Sequence, residues 1–286
     1  GIRDCLVARG LGDVYKRQVC AQHNNGGIDV DLWWRSSIAG LFPVGEAAGA
    51  HGVARPGGAA LNSAQVGATR AAQWIAAREQ GAARADEGWQ ELAGDALQKA
   101  RSLLEAACGR EESSGVLIDD VLMESTRAMS DNAGLVRSRQ GLEELARNVA
   151  EWRRRVVDEC VVDPTSRRSV DRLFLVRDIL DVQAVYVAAM LDHLDHGVGS
   201  RGSVLYTDPD GDLPVSWWND GADLDVEEIF RHRLDSKAHH GVTQRVSVDA
   251  VGEAIHAHWG PVRPIPTEDE FLENVWKTYR VDHNIH

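Results

Sequence analysis

Four stretches between residues 89 and 193 place apolar side chains three and four residues apart. In residues 89–108 the stripe is Leu92, Ala96, Ala100, Leu103 and Ala107, closed by Gly109. In residues 115–132 it is Ile118, Leu122, Ser125 and Met129, with Asn132-Ala133-Gly134 as the stop. Residues 141–160 carry the cleanest stripe, Leu142, Leu145, Val149, Trp152 and Val156, with Pro164 beyond it. The fourth starts at Ser166 or Ser169 and runs to His193, with Leu173, Val176, Leu180, Ala184, Val187 and Leu191 in line. Each stripe is narrow, so each helix must bury one side against another, and the pattern predicts an antiparallel bundle.

Charge and composition bound what such a chain does. There are 31 Lys and Arg against 44 Asp and Glu, a net charge of −13, which argues against nucleic acid or an anionic membrane surface as the main partner. Cys5, Cys20, Cys108 and Cys160 are scattered and form no CxxC pair. They read as reduced thiols of a cytoplasmic protein. No apolar run approaches the ~18 residues of a transmembrane helix. Residues 1–18 have no helical or strand period and no apolar core of a signal peptide, and read as a non-native or disordered leader.

The chemistry concentrates upstream of the bundle. Asn25-Gly26-Gly27 is a turn signal, and the alternation from Ile28 to Asp31 predicts a short strand. The apolar run from Leu41 to Val44 predicts a buried strand ending at Gly45-Glu46. A Gly- and Ala-rich loop with one cation, Arg55, follows. Pro56-Gly57-Gly58 then turns into an Ala-rich helix from about Ala60 to Gly81. Strand, glycine loop and helix N-terminus together suit a flat or anionic ligand.

Individual residues sharpen this. Arg55, fixed among small residues and a proline, suits bidentate binding of a carboxylate; a loop arginine paired with a local acid is the plainer reading. Gly57, Gly58, Ala59, Ala60 and Leu61 let backbone N–H groups approach a ring, with the positive helix end behind them. Glu46, at a strand's C-terminal end, is placed to accept hydrogen bonds from ribose or ribityl hydroxyls. His23 and His51 could each donate to a substrate carboxylate, although a single histidine is more often structural. His239-His240 and the pair His256 and His258, on one face of a strand, have no third ligand at metal spacing. Arg153-Arg154-Arg155 reads as a solvated helix face. Beyond Gly197 the pattern weakens: Asp208-Pro209-Asp210-Gly211-Asp212 reads as a tight turn, Trp217-Trp218 as an aromatic loop, and residues 246–251 as a strand or helix start. The tail, residues 268–280, reads as a short helix.

Taken in order, HNNGGI, GLFPVGEAAGAHGVARPGGAALNS and the following helix resemble the flavoprotein subunits of the succinate dehydrogenase and fumarate reductase family, which includes L-aspartate oxidase. Residues 19–81 match in order and spacing. Residues 125–145 and Ser200-Arg201-Gly202 resemble the family's C-terminal helical domain more loosely. The resemblance implies FAD as cofactor. It implies Arg55 as the arginine that holds a substrate carboxylate, with His23 and His51 as further substrate-side residues. Gly45, Glu46, Gly57, Gly58, Ala60, Leu61 and Asn62 are then the cofactor-binding set. The family has Ser where Ala60 stands, and Gln22 rather than His23 takes the aligned histidine position.

The family's opening strand and GxGxxG fingerprint do not precede residue 19, and its capping domain and covalent flavin histidine have no counterpart here. The chain therefore resembles the C-terminal part of such a protein, expected to bind FAD weakly or not at all and to show no turnover by itself. The expected fold is α+β, mainly α: a leader (1–18), the remnant of an FAD-binding α/β domain (19–81), an antiparallel helical bundle (82–200) and an irregular C-terminal extension (201–286). The expected parent is an FAD-dependent oxidoreductase moving hydride between flavin N5 and a C–C bond beside a carboxylate. Its partners are a small carboxylate substrate and, by resemblance, an iron–sulfur electron-transfer subunit through which it would meet a membrane. L-Aspartate oxidase or another enoate reductase is the alternative within the class. A non-catalytic helical scaffold, in which the glycine loop only packs, is the alternative outside it.

Overall fold

A computed structural model describes residues 26–49, 58–78, 88–110, 115–200, 204–214, 226–235, 237–249 and 254–262, with isolated positions beyond. The chain divides into two compact units, one of residues 1–82 and 269–286, the other of residues 83–268.

The larger unit is built on four helices, α2 (Trp89–Cys108), α3 (Ile118–Asn132), α4 (Arg139–Asp158) and α5 (Arg167–Asp195). Two short parallel pairings fix their directions. β1 (Val116–Leu117), just before α3, pairs with β3 (Cys160–Val161), just after α4. β2 (Val136–Arg137), just before α4, pairs with β4 (Leu205–Asp212), which follows α5. The start of each helix therefore lies beside the end of its partner, so α3 runs antiparallel to α4, and α4 to α5. Arg139 and Asp195 meet at 2.8 Å across the second of these ends. Ser138 and Ser166 cap α4 and α5, accepting from the backbone N–H of Gly141 and Ser169.

The stripe of α4 is the centre of the core: Leu142, Leu145, Val149, Trp152 and Val156 are all buried. Facing it are Leu173, Val176, Leu180 and Val187 of α5 and Ile118 and Val121 of α3. Burial of each such side chain contributes on the order of 1.5–3 kcal/mol. Trp152 Nε1–H donates to Glu124 Oε2 at 3.1 Å, so the largest core ring keeps its polar atom partnered.

Several expectations need correction. α2 has the expected bounds but does not bury its whole stripe: Ala96 is exposed, and among its described side chains those that reach the core are Leu103, Leu104, Ala107 and Cys108. Its small Ala positions present too little apolar surface to hold the first turns down. α4 stops at Asp158, six residues before Pro164, because Cys160 and Val161 pair as a strand with β1. Asp208 to Asp212 lies within β4, yet Thr207 and Asp212 both bridge His232. The turn is therefore a bulge in a strand, with Asp208 Oδ1 accepting from Asp210 N–H at 2.9 Å. The extension is also more regular than expected. β5 (Val242–Val248) and β6 (Ile255–Pro261) form an antiparallel hairpin, with Gln244 opposite Trp259 and Val246 opposite Ala257. Its half-buried face alternates Val242, Gln244 and Val246 with Ile255, Ala257 and Trp259; a glutamine among these hides the period in the sequence. His256 and His258 share the exposed face of β6, and His258 Nε2 lies 3.3 Å from Ser247 Oγ.

In Arg153-Arg154-Arg155 only Arg154 is exposed, Arg153 and Arg155 being half-buried, and all three are engaged. Arg153 pairs with Asp181 of α5 at 2.8 Å, Arg155 with Glu124 of α3 at 3.4 Å, and Arg154 with Glu151 and Glu159, each at 2.7 Å. Cys160 is fully buried, and that burial pushes its thiol up to about 11 despite the nearby Arg155 and Arg110.

Within the smaller unit, α1 (Ala59–Arg78) forms close to its expected bounds. No strand occurs among the described residues of 26–49. Leu41 to Val44 forms no strand, Leu41 bonding instead to Ser36 and Ile38 through its backbone, with Leu41 and Val44 exposed, and a 3-10 turn follows at Gly45–Ala48. Pro43 cannot donate to a ladder, and among the described residues no neighbouring strand pairs with it. The alternation from Ile28 to Asp31 likewise forms no strand. Asp31 instead closes a turn, accepting from the backbone N–H of Trp33 and Arg35.

Candidate functional site

The Gly26-Gly27 pair and Gly49, far apart in sequence, meet backbone to backbone. Gly49 ends the Gly45–Ala48 turn in the left-handed region, at φ 62°, and donates to Glu46 O at 2.9 Å. The Gly26-Gly27 segment crosses this turn, and Ile28 N–H donates to Ala47 O at 2.8 Å. A Cβ on Gly27 would collide with the backbone of Ala47, Ala48 and Gly49, and one on Gly49 would collide with Gly26 and Gly27. Only glycine fits at either position. On its other side the turn rests on α1: a Cβ at Gly45 would stand 3.5 Å from Ala64 Cβ.

The first turn of α1 supplies the second part. Gly58 sits at φ 80°, and its carbonyl accepts from Asn62 N–H at 3.0 Å. The helix has no acidic residue in its first turn, so the positive charge of its N–H end is not neutralised from within the helix. Ala59 and Ala60 are half-buried, Asn62 is exposed, and Leu61 is 64% exposed with its apolar face outward. Nothing lies within 4 Å of where a Cβ of Gly58 would stand. A helix start with no acid in its first turn, small residues and an outward apolar side chain suit a flat ring with an anionic edge.

An aromatic and cationic clamp holds residues 31–35 onto α1. Trp33 is buried and tilted against Trp74, with ring centroids 5.7 Å apart. The Arg35 guanidinium lies 4.1 Å from the Trp74 centroid and that of Arg70 lies 4.2 Å from Trp33. Arg70 Nε–H also donates to Leu32 O at 2.7 Å. Trp34 adopts φ 58° and lays its indole on Gly67, where a Cβ would strike the ring. Partial burial raises the Asp31 carboxyl, but hydrogen bonds from Arg35 and Trp33 outweigh it and hold the group below the usual carboxylate range. Sequence reading missed this clamp. Its signals are Gly67 and Trp74, seven residues apart on one face of an Ala-rich helix, and the Trp-Trp-Arg run.

Of the residues singled out from sequence, Gly45 and Glu46 lie in the turn that packs on α1, and Gly58, Ala60, Leu61 and Asn62 lie at or in its first turn. His23, His51, Arg55 and Gly57 lie outside the described residues. Among the described residues no group of three or more His, Cys, Asp or Glu could hold a metal ion, and no helix is long and apolar enough to cross a membrane.

Helical bundle and glycine turn together define a fold seen before. No family model matches the sequence, and no curated protein matches it either. Solved structures do. A mutant form of the Escherichia coli quinol fumarate reductase chain FrdA has a TM-score of 0.60 at 19% identity, covering 85% of this chain and 37% of its own. The Mycobacterium smegmatis Sdh1 complex in its apo form gives 0.56 at 19%, covering 91% of this chain and 40% of its own. The same Sdh1 in complex with UQ1 gives 0.51 at 17%, covering 90% and 38%. At these identities the likeness is one of fold, and the chain spans well under half the length of each neighbour.

Proposed function

We propose that this chain is the flavin-ring and carboxylate-binding part of an FAD-dependent oxidoreductase of the fumarate reductase and succinate dehydrogenase type. The observation that carries the reading is the seating of the Gly45-Glu46 turn, crossed by Gly26–Ile28, on a helix whose first turn opens on small residues and holds no acid. The fold likeness to a quinol fumarate reductase chain supports it.

In this reading the N–H groups at Ala60 and Leu61 face the N1–C2=O edge of the ring, where the helix end stabilises negative charge. Glu46 accepts from ribityl or ribose hydroxyls, and Gly45, Gly57, Gly58 and Asn62 complete the cradle. The flavin, when bound, supplies the hydride acceptor at N5. Arg55 binds the substrate carboxylate as a fork and orients the adjacent C–C bond, with His23 and His51 as further donors on that side. An iron–sulfur subunit is the proposed electron partner.

The test uses a protein that carries this chain behind a dinucleotide-binding half. Arg55→Ala should lower viologen-driven fumarate reduction by about 10²–10³-fold, the loss typical of one removed charge-stabilising donor, while bound flavin absorbance is unchanged. Unchanged turnover with intact flavin would leave the scaffold reading in its place. The chain by itself should bind FAD weakly and show no turnover; a yellow chain that survives gel filtration and reduces fumarate would overturn that expectation.

A further inference from the structure

A groove of about 430 Å³ lies between α3 and α5. Thr126 and Met129 of α3 line one side, and Ile179, Val182 and Tyr186 of α5 line the other. These three α5 residues stand on a different face from Leu173, Val176, Leu180 and Val187, which are buried in the core. Val182 and Tyr186 are exposed.

Gln183 also lines the groove and, at 6% exposed, is buried where the other lining residues are not. Its Oε1 is closed off from solvent and has no hydrogen-bond partner among the described residues. Buried amide oxygens are seldom left so, because losing water without gaining a donor is unfavourable. Neighbouring polar groups do not serve it. The Thr126 hydroxyl donates into its own helix, to Leu122 O at 2.7 Å. Asp178, an exposed residue at the rim, accepts from Arg177 at 3.0 Å, and a carboxylate has no proton to give. A water molecule at Oε1 would need further polar partners, which the apolar walls do not supply.

We propose that this groove is a binding site for a small, neutral aromatic molecule with one N–H or O–H donor, of the size of an indole or a phenol, and that Gln183 Oε1 is its acceptor. The volume falls within the range of small-molecule sites. The lining on α5 runs from Asp178 to Tyr186, about 12 Å of helix, which is room for one or two fused rings and a short footprint for a docked helix. The Met129 thioether and the Tyr186 ring suit an aromatic face. The Asp178 carboxylate disfavours an anion. Entry takes a rotamer change of the exposed Val182 or Tyr186, and the ligand then gives a donor to the amide oxygen that lacks one.

Titration of the full chain with indole, followed by NMR of its labelled Ile and Met methyl groups, tests this. Saturable shifts should appear at Met129 and Ile179, while Ile255 of β6 stays unmoved. Benzofuran has the same shape as indole but no donor. It should bind about tenfold more weakly, the worth of one hydrogen bond to a buried acceptor. Gln183→Leu, close in volume and apolar, should bind the two compounds alike. No saturable shift with indole, or equal affinity of the wild-type chain for indole and benzofuran, would overturn the site. So would a preference for indole that survives in Q183L. The wild-type comparison of the two compounds decides by itself if Q183L fails to fold.

Discussion

The helical unit and the glycine-turn region are held together by different physics. In the helical unit one stripe, Leu142 to Val156, is buried along its whole length and meets apolar faces of two other helices. In the described part of residues 26–78 the buried set is small: Trp33, Pro43, Ala48, Gly67 and Ala71. Ile28, Ile38, Leu61 and Val66 are exposed there instead. That region keeps its shape through backbone crossings at glycine and through Trp–Arg stacking rather than through a core. The comparison teaches where each is fragile. The bundle tolerates surface change and suffers from cavities, whereas the site region suffers from any added Cβ at its crossings.

The largest effect should come from emptying the bundle. Leu145→Ala removes a fully buried side chain of the central stripe and should cost about 2–5 kcal/mol in urea unfolding monitored at α4. Exchange protection of α1 should be unaffected. A comparable loss in both regions would show that they do not differ as described.

Next is the clamp. Gly67→Val would drive methyl groups into the Trp34 indole and should destabilise residues 31–35 and α1 by about 1–3 kcal/mol, read as lost amide protection there. If protection is kept, the Trp34 contact does not hold the region.

A smaller effect separates the units by pH. Cys160 has its thiol pushed up to about 11 by burial, so the folded bundle keeps a proton that the unfolded chain loses at lower pH. The bundle's melting temperature should therefore fall as pH rises from about 9 toward 11, and Cys160→Ala should remove that slope. Asp31 works in the opposite sense. Its carboxyl is held below its usual value, so its contribution is present above the unfolded value and lost as pH falls through the folded one. Because Asp31 and Arg35 are partly exposed, Asp31→Asn should cost at most about 1 kcal/mol, seen as acid-side loosening of residues 31–35 alone.

How much was legible in the sequence follows from the same contrast. The helical stripes are local and periodic, so Leu142 to Val156 could be placed without a structure, and α2 and α3 ended where Gly109 and Asn132-Ala133-Gly134 indicate. Strand readings failed where partners decide. Leu41 to Val44 had the composition of a strand but has no strand partner among the described residues, whereas the β5–β6 hairpin hid its period behind Gln244. The candidate site was legible as residue types in order, because a glycine loop opening a helix is a local pattern.

The sequence by itself determined the helices, the acidic balance and the glycine, arginine and histidine residues on offer, because each depends on neighbours within a few positions. Only the tertiary structure decided that Gly26-Gly27 crosses Gly49, that Trp34 lies on Gly67, and that His239 bridges Asp235 and the end of α5. Apart from the local His239–Asp235 pair, these contacts join residues 22 to 43 positions apart. Their formation depends on packing that closes the loop between them, which no local pattern encodes.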